Sequence, residues 1–285
     1  MLPAVRYLPD RFKDSRTDNI AISVGSAIQI RLTIERQSER GITMRTIWRQ
    51  GIFIFSFQLL FGAAMISVYA KSPEKSSINT LTEQEKQEGW ELLFDGENLD
   101  QWTRTDGKEV PKGAWRVVDG ELRIVDRMKR LLRGGGSIYT KEQYSDFEFT
   151  LEYNISENAN SGIKYFVQTG TALGLEYQII SGNPGLRDYQ YTASLYDLIP
   201  ATGAQPKPPG EWNHVRIVVR GKHCEHWLNG SKVVEFERGG DHFRAQVAKS
   251  KFAHEENFGE FPRGHIMLQD HGGGISFRNI KIRKL

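Results

Sequence analysis

A period of two in apolar and polar positions runs through the chain from residue 90 onward. In residues 147–153, which read FEFTLEY, aromatic and aliphatic residues alternate with glutamate and threonine. That alternation predicts a strand with one buried face and one solvated face. Residues 114–118 and 121–125 flank an Asp-Gly pair, and residues 223–228 and 232–237 flank an Asn-Gly pair. Both pairs are typical of two-residue hairpin turns, so two hairpins are expected.

Other segments of strand composition continue this pattern. They lie at residues 90–94, 161–168, 174–180, 193–199, 215–220, 265–269 and 275–283. About a dozen short strands between turn residues, with no long helix, predict an all-β sandwich or barrel. A short helical turn is expected at residues 81–88. The loops at residues 181–191 and 200–210 are long and rich in glycine and proline, so we expect them to border a binding site.

One long apolar run, residues 52–69, precedes the strand-rich region. It follows Arg45 and Arg49 and ends at Ala70, before a polar stretch. This order of basic segment, apolar segment and small residues predicts a secretory signal peptide that is cleaved after Ala70. The protein is then exported to the periplasm, the cell envelope or the medium. The alternative is an uncleaved membrane anchor, because about 20 apolar residues can span a bilayer.

The position of this run also predicts how the chain is divided. A signal peptide begins within a few residues of its basic segment, and Met44 opens the sequence MRTIWRQ. We therefore expect translation to start at Met44, with residues 1–43 an upstream extension or a disordered tail. Residues 44–70 are the expected signal peptide, residues 71–87 a polar linker and residues 88–285 a single β domain.

Composition narrows the class of protein. Hydrophobic residues make up 39% of the chain and aromatic residues 11%, which is enough for a core. The net charge is only +3 and no basic stripe is interleaved with aromatic residues, so nucleic acid is not an expected partner. Cys224 is the only cysteine, which excludes an intramolecular disulfide and a cysteine-based metal site. No glycine-rich phosphate loop is present, so no nucleotide cofactor is expected.

Glu176 and Gln178 are candidate functional residues in the segment GLEYQII. They are two positions apart, so on a strand both side chains project from one face. A carboxylate beside an amide can bind sugar hydroxyls or remove a proton. The alternative interpretation is an ordinary solvated strand face.

Lys164 is a second candidate, because it interrupts the strand SGIKYFV. Ile163, Tyr165 and Val167 are expected on one face, and Lys164 on the other face with Gly162 and Phe166. A lysine in such a place can stabilise a developing oxyanion. It can equally be a surface charge without a role.

Gln269, Asp270 and His271 end another predicted strand, immediately before three glycines. Side chains at a strand end beside a flexible loop are well placed to meet a ligand. His271 can act as a base, an acid or a metal ligand, or it can have only a hydrogen-bonding role. The carboxylate pair of ordinary sandwich-fold glucanases is absent, because Glu176 is followed by a glutamine and not by an aspartate and a second glutamate. This argues against a conventional two-carboxylate glycosidase.

Several ordered motifs resemble one known family. They read GWELLFDGENLDQW at 89–102, GLEYQII at 174–180, SLYDLI at 194–199, PGEWNHVRIVV at 209–219, HWLNG at 226–230 and GHIMLQDHGGGISFRNIKIR at 264–283. The resemblance covers residues 88–285 and is to the 3-keto-disaccharide hydrolases, also described as 3-keto-glucoside 1,2-lyases and 3-keto-2-hydroxyglucal hydratases. It implies a concanavalin A-like jelly-roll sandwich of two antiparallel sheets and an exported enzyme that acts on oxidised sugars or glycosides. Many relatives carry an acidic segment where this chain has Ser181, Gly182 and Asn183.

The resemblance also implies a mechanism. A ketone at C3 makes the C2 proton acidic, so a base can remove it and the enolate can expel the group at C1. Glu176 or His271 is the expected base, and Lys164 or a bound divalent cation is the expected oxyanion stabiliser. The residues expected to bind the sugar are Gln178, Tyr196, Gln269 and Asp270.

Two other functions suit the same fold class. A lectin-like module would bind glycans without cleaving them, in a shallow groove lined by an exposed Trp102 or Trp212. A structural or adhesive envelope domain would need neither feature. A catalytic site instead requires Glu176, Lys164 and His271 to converge in one polar pocket.

Overall fold

The structure is a computed structural model that describes residues 77–111, 113–129, 135–183 and 185–285, and the backbone of residues 19–24 and 28–33. The chain divides into two compact units, Met1–Val68 and Tyr69–Leu285. In the first unit, β1 (Asn19–Val24) and β2 (Ile28–Thr33) pair antiparallel, in a segment for which the sequence analysis proposed no element. The expected translation start and the apolar run lie outside the described residues. Within those described ranges, no helix has the length and apolarity needed to cross a membrane.

Most of the regular elements described in the second unit are strands. The strands are β3 (Trp90–Leu92), β4 (Trp102–Thr103), β5 (Trp115–Val118), β6 (Glu121–Ile124), β7 (Ile138–Thr140), β8 (Phe147–Ile155), β9 (Asn160–Val167), β10 (Leu175–Ile180), β11 (Trp212–Arg220), β12 (His223–Leu228), β13 (Ser231–Glu237), β14 (His265–Leu268) and β15 (Ile275–Lys284). The helices are α1 (Glu83–Gln87), α2 (Asp241–Val247) and two 3₁₀ turns, Arg127–Lys129 and Asp188–Gln190.

These strands form two antiparallel sheets. The smaller sheet has the order β10-β9-β14-β7-β4, and the larger has the order β13-β12-β11-β8-β15-β6-β5, with β3 paired to β15. Strands far apart in sequence lie side by side in both sheets, as β9 does with β14 and β8 does with β15. The prediction of an all-β, concanavalin A-like jelly-roll sandwich of two antiparallel sheets is confirmed.

The core lies between the two sheets because each strand buries alternate residues. In β8, Phe147, Phe149, Leu151 and Tyr153 are all buried, as their alternation with polar residues predicted. Burial requires a polar group in the core to have hydrogen-bond partners. The imidazole of His226 lies between two partners, with Nδ1 2.9 Å from the Ala193 carbonyl oxygen and Nε2 2.9 Å from the Tyr165 hydroxyl.

The described part of the expected linker is packed onto the sandwich. The α1 helix begins with a capping box between Thr82 and Glu85, which accounts for the predicted helical turn. Glu85 also forms an ion pair with Lys281 of β15, with 2.7 Å between Oε1 and Nζ. Upstream, the backbone N–H of Asn79 donates to Asn279 Oδ1 at 2.6 Å. Residues 79–87 are therefore part of the folded domain.

The predicted strand at residues 193–199 is wrong as an element. Only isolated bridges occur there, between Leu195 and Tyr177 and between Leu195 and Ile199. Ala193 and Asp197 have φ angles of 72° and 63°, which turn the backbone out of an extended path. The segment still follows the edge of β10, because the Tyr196 N–H donates to the Glu176 carbonyl oxygen at 2.9 Å.

Candidate active site

Glu176 and Lys164 face each other across two strands of the smaller sheet. They are directly paired in the register of β10 and β9, and Glu176 Oε2 lies 3.4 Å from Lys164 Nζ. The side chains are only 6% and 13% exposed, so solvent screens the pair weakly. Lys164 Nζ also donates to the Ala172 carbonyl oxygen at 2.9 Å, which holds the ammonium in place. The sequence prediction that these two strands present a carboxylate and an ammonium on one face therefore describes the geometry.

Gly162 leaves room for two oxygens beside this pair. It is paired with Gln178 of β10, and its carbonyl accepts from the Gln269 N–H at 3.0 Å. A Cβ at this position would lie 2.6 Å from Gln269 Oε1 and 2.8 Å from Glu176 Oε1. Any larger residue would displace one of the two oxygens. The side chains of Glu176, Gln178 and Gln269 thus lie together above the backbone of Gly162, and all three residues are buried.

Two acceptors on this face have no hydrogen-bond partner. Asn160 Oδ1 and Gln269 Oε1 are the buried side-chain polar atoms in the described ranges that are left unsatisfied. Asn160, Gly162 and Lys164 alternate along β9, so they share one face of the sheet. Buried polar atoms are rarely left unpaired in proteins, because desolvation without a hydrogen bond is costly. The two oxygens are available to accept from hydroxyl groups of a ligand.

Two opposing effects set the pKa of the Glu176 carboxyl. Burial raises the pKa of this carboxyl, and the positive charges of Lys164 and Lys251 and that of protonated His271 oppose the rise. The net result is a pKa above the ordinary value for glutamate. A carboxyl whose pKa is displaced toward neutrality is suited to exchanging a proton with a substrate.

Tyr196 and Lys251 border the pair from outside the sheet. The Lys251 backbone N–H donates to Asp197 Oδ2 at 3.1 Å, and Lys251 Nζ lies 4.2 Å from the centre of the Tyr196 ring. The sequence predicts a role for Tyr196, whereas Lys251 could not be predicted from it. Lys251 lies in the long irregular segment after α2. This segment has neither an alternation of apolar and polar residues nor a turn signal, so its sequence does not predict where Lys251 lies relative to the sheet.

His271 and Asp270 have different surroundings. His271 is exposed, and it acts on Glu176 through its charge rather than through a hydrogen bond. Asp270 shapes the adjoining loops, since Oδ2 accepts from the Gly136 N–H at 3.0 Å and Oδ1 from the Gly272 N–H at 2.9 Å. Glu176, Lys164, Gln178 and Gln269 therefore form the buried centre, and His271 lies at its solvent side.

The predicted facing of Phe166 and Val167 is wrong. The register between β14 and β9 shifts from His265 opposite Val167 to Met267 opposite Lys164, which inserts an extra residue into β9. Phe166 lies at this bulge with φ of 57° and packs in the main core. Val167 is carried to the Lys164 face, where it contacts Met267. A bulge breaks the period of two, and the sequence carries no sign of it.

The long loops expected at the rim border a different cavity. Residues of both loops, among them Ser181, Tyr191 and Pro206, line a cavity of about 410 Å³. Glu176 and Lys164 are not part of its lining. The binding-rim prediction and the candidate acid–base pair thus refer to separate places on the sandwich.

The expected divalent cation stays a prediction. Mg²⁺ and Ca²⁺ bind carboxylate, amide carbonyl and water oxygens, and Zn²⁺ binds histidine, cysteine or carboxylate donors. In the part of the chain that the structure describes, the group of three such residues within reach of one ion is His223, Glu225 and Glu235, on the larger sheet. There, Lys232 Nζ already lies 2.6 Å from Glu235 Oε2. At Glu176 the neighbouring positive charge is the Lys164 ammonium, so no step is derived through a metal.

Of the two tryptophans considered for a lectin groove, Trp102 is buried and Trp212 is half-buried. Trp102 is 2% exposed and its Nε1–H donates to the Leu93 carbonyl oxygen at 2.6 Å. One face of the Trp212 ring is covered by the Arg278 guanidinium, whose Cζ lies 3.9 Å from the ring centre. Sugar stacking at Trp102 would require rearrangement.

A jelly-roll sandwich with a buried carboxyl and ammonium on one sheet is consistent with a carbohydrate-active enzyme of the glycoside hydrolase type. A family model of the 3-keto-alpha-glucoside-1,2-lyase-like domain matches residues 89–283. The chain belongs to this family.

The relatives agree with this assignment. A 3-keto-disaccharide hydrolase of Bacteroides thetaiotaomicron is 27% identical, over 76% of this chain and 86% of its own. A crystal structure from Parabacteroides distasonis, of a provisionally named glycosyl hydrolase, is 32% identical with a TM-score of 0.64, over 73% of this chain and 100% of that one. A second structure from the same organism, also provisionally named a glycosyl hydrolase, is 29% identical with a TM-score of 0.55, over 69% of this chain and 99% of that one.

Proposed function

We propose that this protein cleaves 3-keto-glycosides by removing the C2 proton and expelling the group at C1. The family and the name of the Bacteroides relative support a substrate oxidised at C3. The observation that carries the proposal is the Glu176 carboxyl, buried, with a raised pKa, and 3.4 Å from Lys164 Nζ. A proton abstraction next to a ketone needs a base of this kind and a positive charge for the enolate.

Each proton and electron pair has a destination in this reaction. The Glu176 carboxylate takes the C2 proton, and the electrons of the C2–H bond form the enolate with the C3 oxygen. The Lys164 ammonium stabilises the negative oxygen. The enolate then reforms the C3 ketone, a double bond forms between C1 and C2, and the C1–O bond breaks. The departing oxygen takes a proton, for which His271 at the solvent side is the proposed donor. Addition of water places a hydroxyl on C1 and a solvent proton on C2, Glu176 loses its proton to water and His271 regains one from water, which completes a net hydrolysis.

The unsatisfied oxygens support sugar binding at the same place. Asn160 Oδ1 and Gln269 Oε1 are acceptors on the Glu176 face, and a 3-keto sugar presents hydroxyl donors at its remaining carbons. Gln178 and Tyr196 are the other proposed sugar contacts, and Asp270 is proposed to act by holding the loop before the glycines. Each ring hydroxyl that donates to a buried acceptor removes the cost of leaving that acceptor unpaired.

Aglycone release tests this proposal. The protein is incubated with a chromogenic 3-keto-α-glucoside and with its unoxidised parent, in the presence and absence of EDTA. We expect release from the oxidised substrate alone, because only the ketone makes the C2 proton acidic, and we expect EDTA to leave the rate unchanged. Equal release from both substrates would contradict the proposal. Loss of activity in EDTA that is restored by a divalent cation would contradict the role given to Lys164.

We also propose that the protein is exported and that its mature chain begins near Lys71. The support is the order of basic, apolar and small residues that ends at Ala70. N-terminal sequencing of the native protein is expected to read from Lys71 or a neighbouring residue. A mature chain that retains the apolar run would show an anchor instead.

A further inference from the structure

A cavity of about 290 Å³ lies on the same face of the smaller sheet as Lys164. Lys164 is paired with Met267, Met267 with Tyr139, and Tyr139 with Thr103. Paired residues of antiparallel strands project to the same side, so all four share one face. Tyr139 and Thr103 line the cavity. Two strand spacings, or about 10 Å, separate Tyr139 from Lys164, a span that a disaccharide covers.

Hydrogen-bonding groups line this cavity in fixed orientations. His265 Nδ1 lies 2.8 Å from the Thr140 carbonyl oxygen, which can only accept, so Nδ1 carries the proton. His265 Nε2 is then the acceptor for the Thr169 hydroxyl at 3.0 Å and for the Gln143 side-chain amide, whose Nε2 lies 3.2 Å away. The lone pairs of the Thr169 oxygen remain available to a ligand. On another wall, the Thr105 hydroxyl donates to the Thr171 carbonyl oxygen at 3.4 Å.

Donors border the same space. Arg104 and Lys141 are part of the lining, and none of the residues that line this cavity is acidic. Arg104 is partly engaged by Asp106, at 3.6 Å. Acceptor oxygens beside cationic donors suit hydroxyl groups, each of which donates one hydrogen bond and accepts others. The cavity volume is close to about 300 Å³, the lower limit for small-molecule sites. A cavity of this size suits a single sugar ring.

We propose that this cavity, the leaving-group subsite, binds the second ring of a disaccharide while the 3-keto ring is held over Glu176 and Lys164. The inference rests on the proposed function for its assignment of the two rings. The hydroxyls of Thr105 and Thr169 bind the departing sugar, and His265 is a positioning residue that orients Thr169. The subsite therefore selects glycosides whose leaving group is itself a sugar.

Isosteric removal of one hydroxyl tests the subsite. The substrates are maltose oxidised at C3 of its non-reducing ring and methyl 3-keto-α-glucoside, whose leaving group is too small to enter the cavity. In Thr169→Val and in Thr105→Val, we expect the ratio of kcat/KM for the disaccharide to that for the methyl glycoside to fall about tenfold. The matched control, Thr202→Val, changes an exposed threonine that is not part of the cavity lining. A ratio that stays within twofold of the wild-type value in both variants would overturn the inference.

A binding measurement separates this inference from the proposed function. If the wild type releases nothing from either substrate, the proposed function fails, and calorimetry with unoxidised maltose then decides the subsite alone. We expect maltose to bind the wild type and the Thr202→Val control equally, and to bind Thr169→Val about tenfold more weakly. No maltose binding to the wild type, or equal affinities of all three proteins, would overturn the subsite.

Discussion

Glu176 is the residue on which the proposed chemistry depends most. Replacing it with glutamine keeps the shape of the side chain and removes the base, so we expect Glu176→Gln to lower the rate on a 3-keto-α-glucoside by about 10²–10⁴. The matched control is Glu157→Gln, at an exposed glutamate outside the sheet face. Circular dichroism should match the wild type for both. Full turnover by Glu176→Gln would remove this residue from the mechanism.

Lys164 is expected to act on the pH dependence as well as on the rate. Glu176 must be ionised to act as a base, so kcat/KM rises with pH through its pKa, which burial raises above the ordinary value. Lys164 opposes that rise, and Lys164→Met is therefore expected to move this limb of the pH–rate profile to higher pH. The plateau should also fall by about 10²–10³, because the enolate loses its positive charge.

The profile of Lys222→Met, at an exposed lysine, provides the comparison for Lys164→Met. It should coincide with the wild-type profile. A Lys164→Met profile with a lower plateau and an unmoved limb would show that the ammonium does not act on the base.

Part of the site at this scale could be predicted from residue spacing alone. Period two placed Glu176 and Gln178 on one face and identified Lys164 as an interruption, and these residues do meet. Lys251 and His265 could not be found in this way. Lys251 reaches the site from an irregular segment, and the significance of His265 depends on its Thr140 and Thr169 partners, which only the fold brings together.

At the scale of the element, the bulge in β9 determines which side chains reach the Glu176 face. Gly264, which precedes β14, packs against this bulge, and a Cβ there would lie 2.4 Å from Cα and the carbonyl carbon of Phe166. We expect Gly264→Ala to lower the free energy of unfolding by about 1–3 kcal/mol, since backbone must move to accept the methyl group. Urea denaturation measures this change.

The control for Gly264→Ala is Gly113→Ala. A Cβ at Gly113 meets nothing within 4 Å and its φ is not positive. A Gly264→Ala protein as stable as this control would show that the bulge is not held as described.

Regular strands and hairpins could be predicted because their signals are local. The Asp-Gly turn between β5 and β6 and the Asn-Gly turn between β12 and β13 follow directly from turn chemistry. The segment at residues 193–199 has strand composition, and two positive φ angles still prevent a regular strand. α2 was not predicted, because a seven-residue helix with Phe243 as its buried residue carries too short a pattern to recognise.

At the scale of the whole molecule, His226 is expected to couple stability to pH. Burial lowers its pKa to about 4, from 6.5. The unfolded chain therefore binds a proton between these values that the folded protein excludes, and stability is lost as pH falls from about 6.5 to about 4. The corresponding loss in the free energy of unfolding is about 3 kcal/mol. In His226→Gln, which retains a donor for Ala193 and an acceptor for Tyr165, this part of the slope should disappear. If the free energy of unfolding of His226→Gln depends on pH as it does in the wild type, groups other than His226 cause that dependence.

The order of the strands and the sheet topology depend on contacts between distant parts of the chain. Composition and spacing indicated only a sandwich or barrel, and the jelly-roll assignment came from the resemblance of residues 88–285 to a known family. The pairing of β8 with β15 and of β9 with β14 joins segments about a hundred residues apart or more, and no local pattern specifies such pairs.

The central claim is that bond cleavage proceeds through loss of the C2 proton to Glu176. The most direct test uses a 3-keto-α-glucoside with deuterium at C2, treated with the protein in ordinary water and stopped before the substrate itself exchanges. Mass spectrometry of the released sugar measures the deuterium that remains. The account predicts that the product has lost the C2 deuterium. A product that retains the deuterium, together with equal release rates from the deuterated and undeuterated substrates, would contradict the elimination and favour direct displacement at C1.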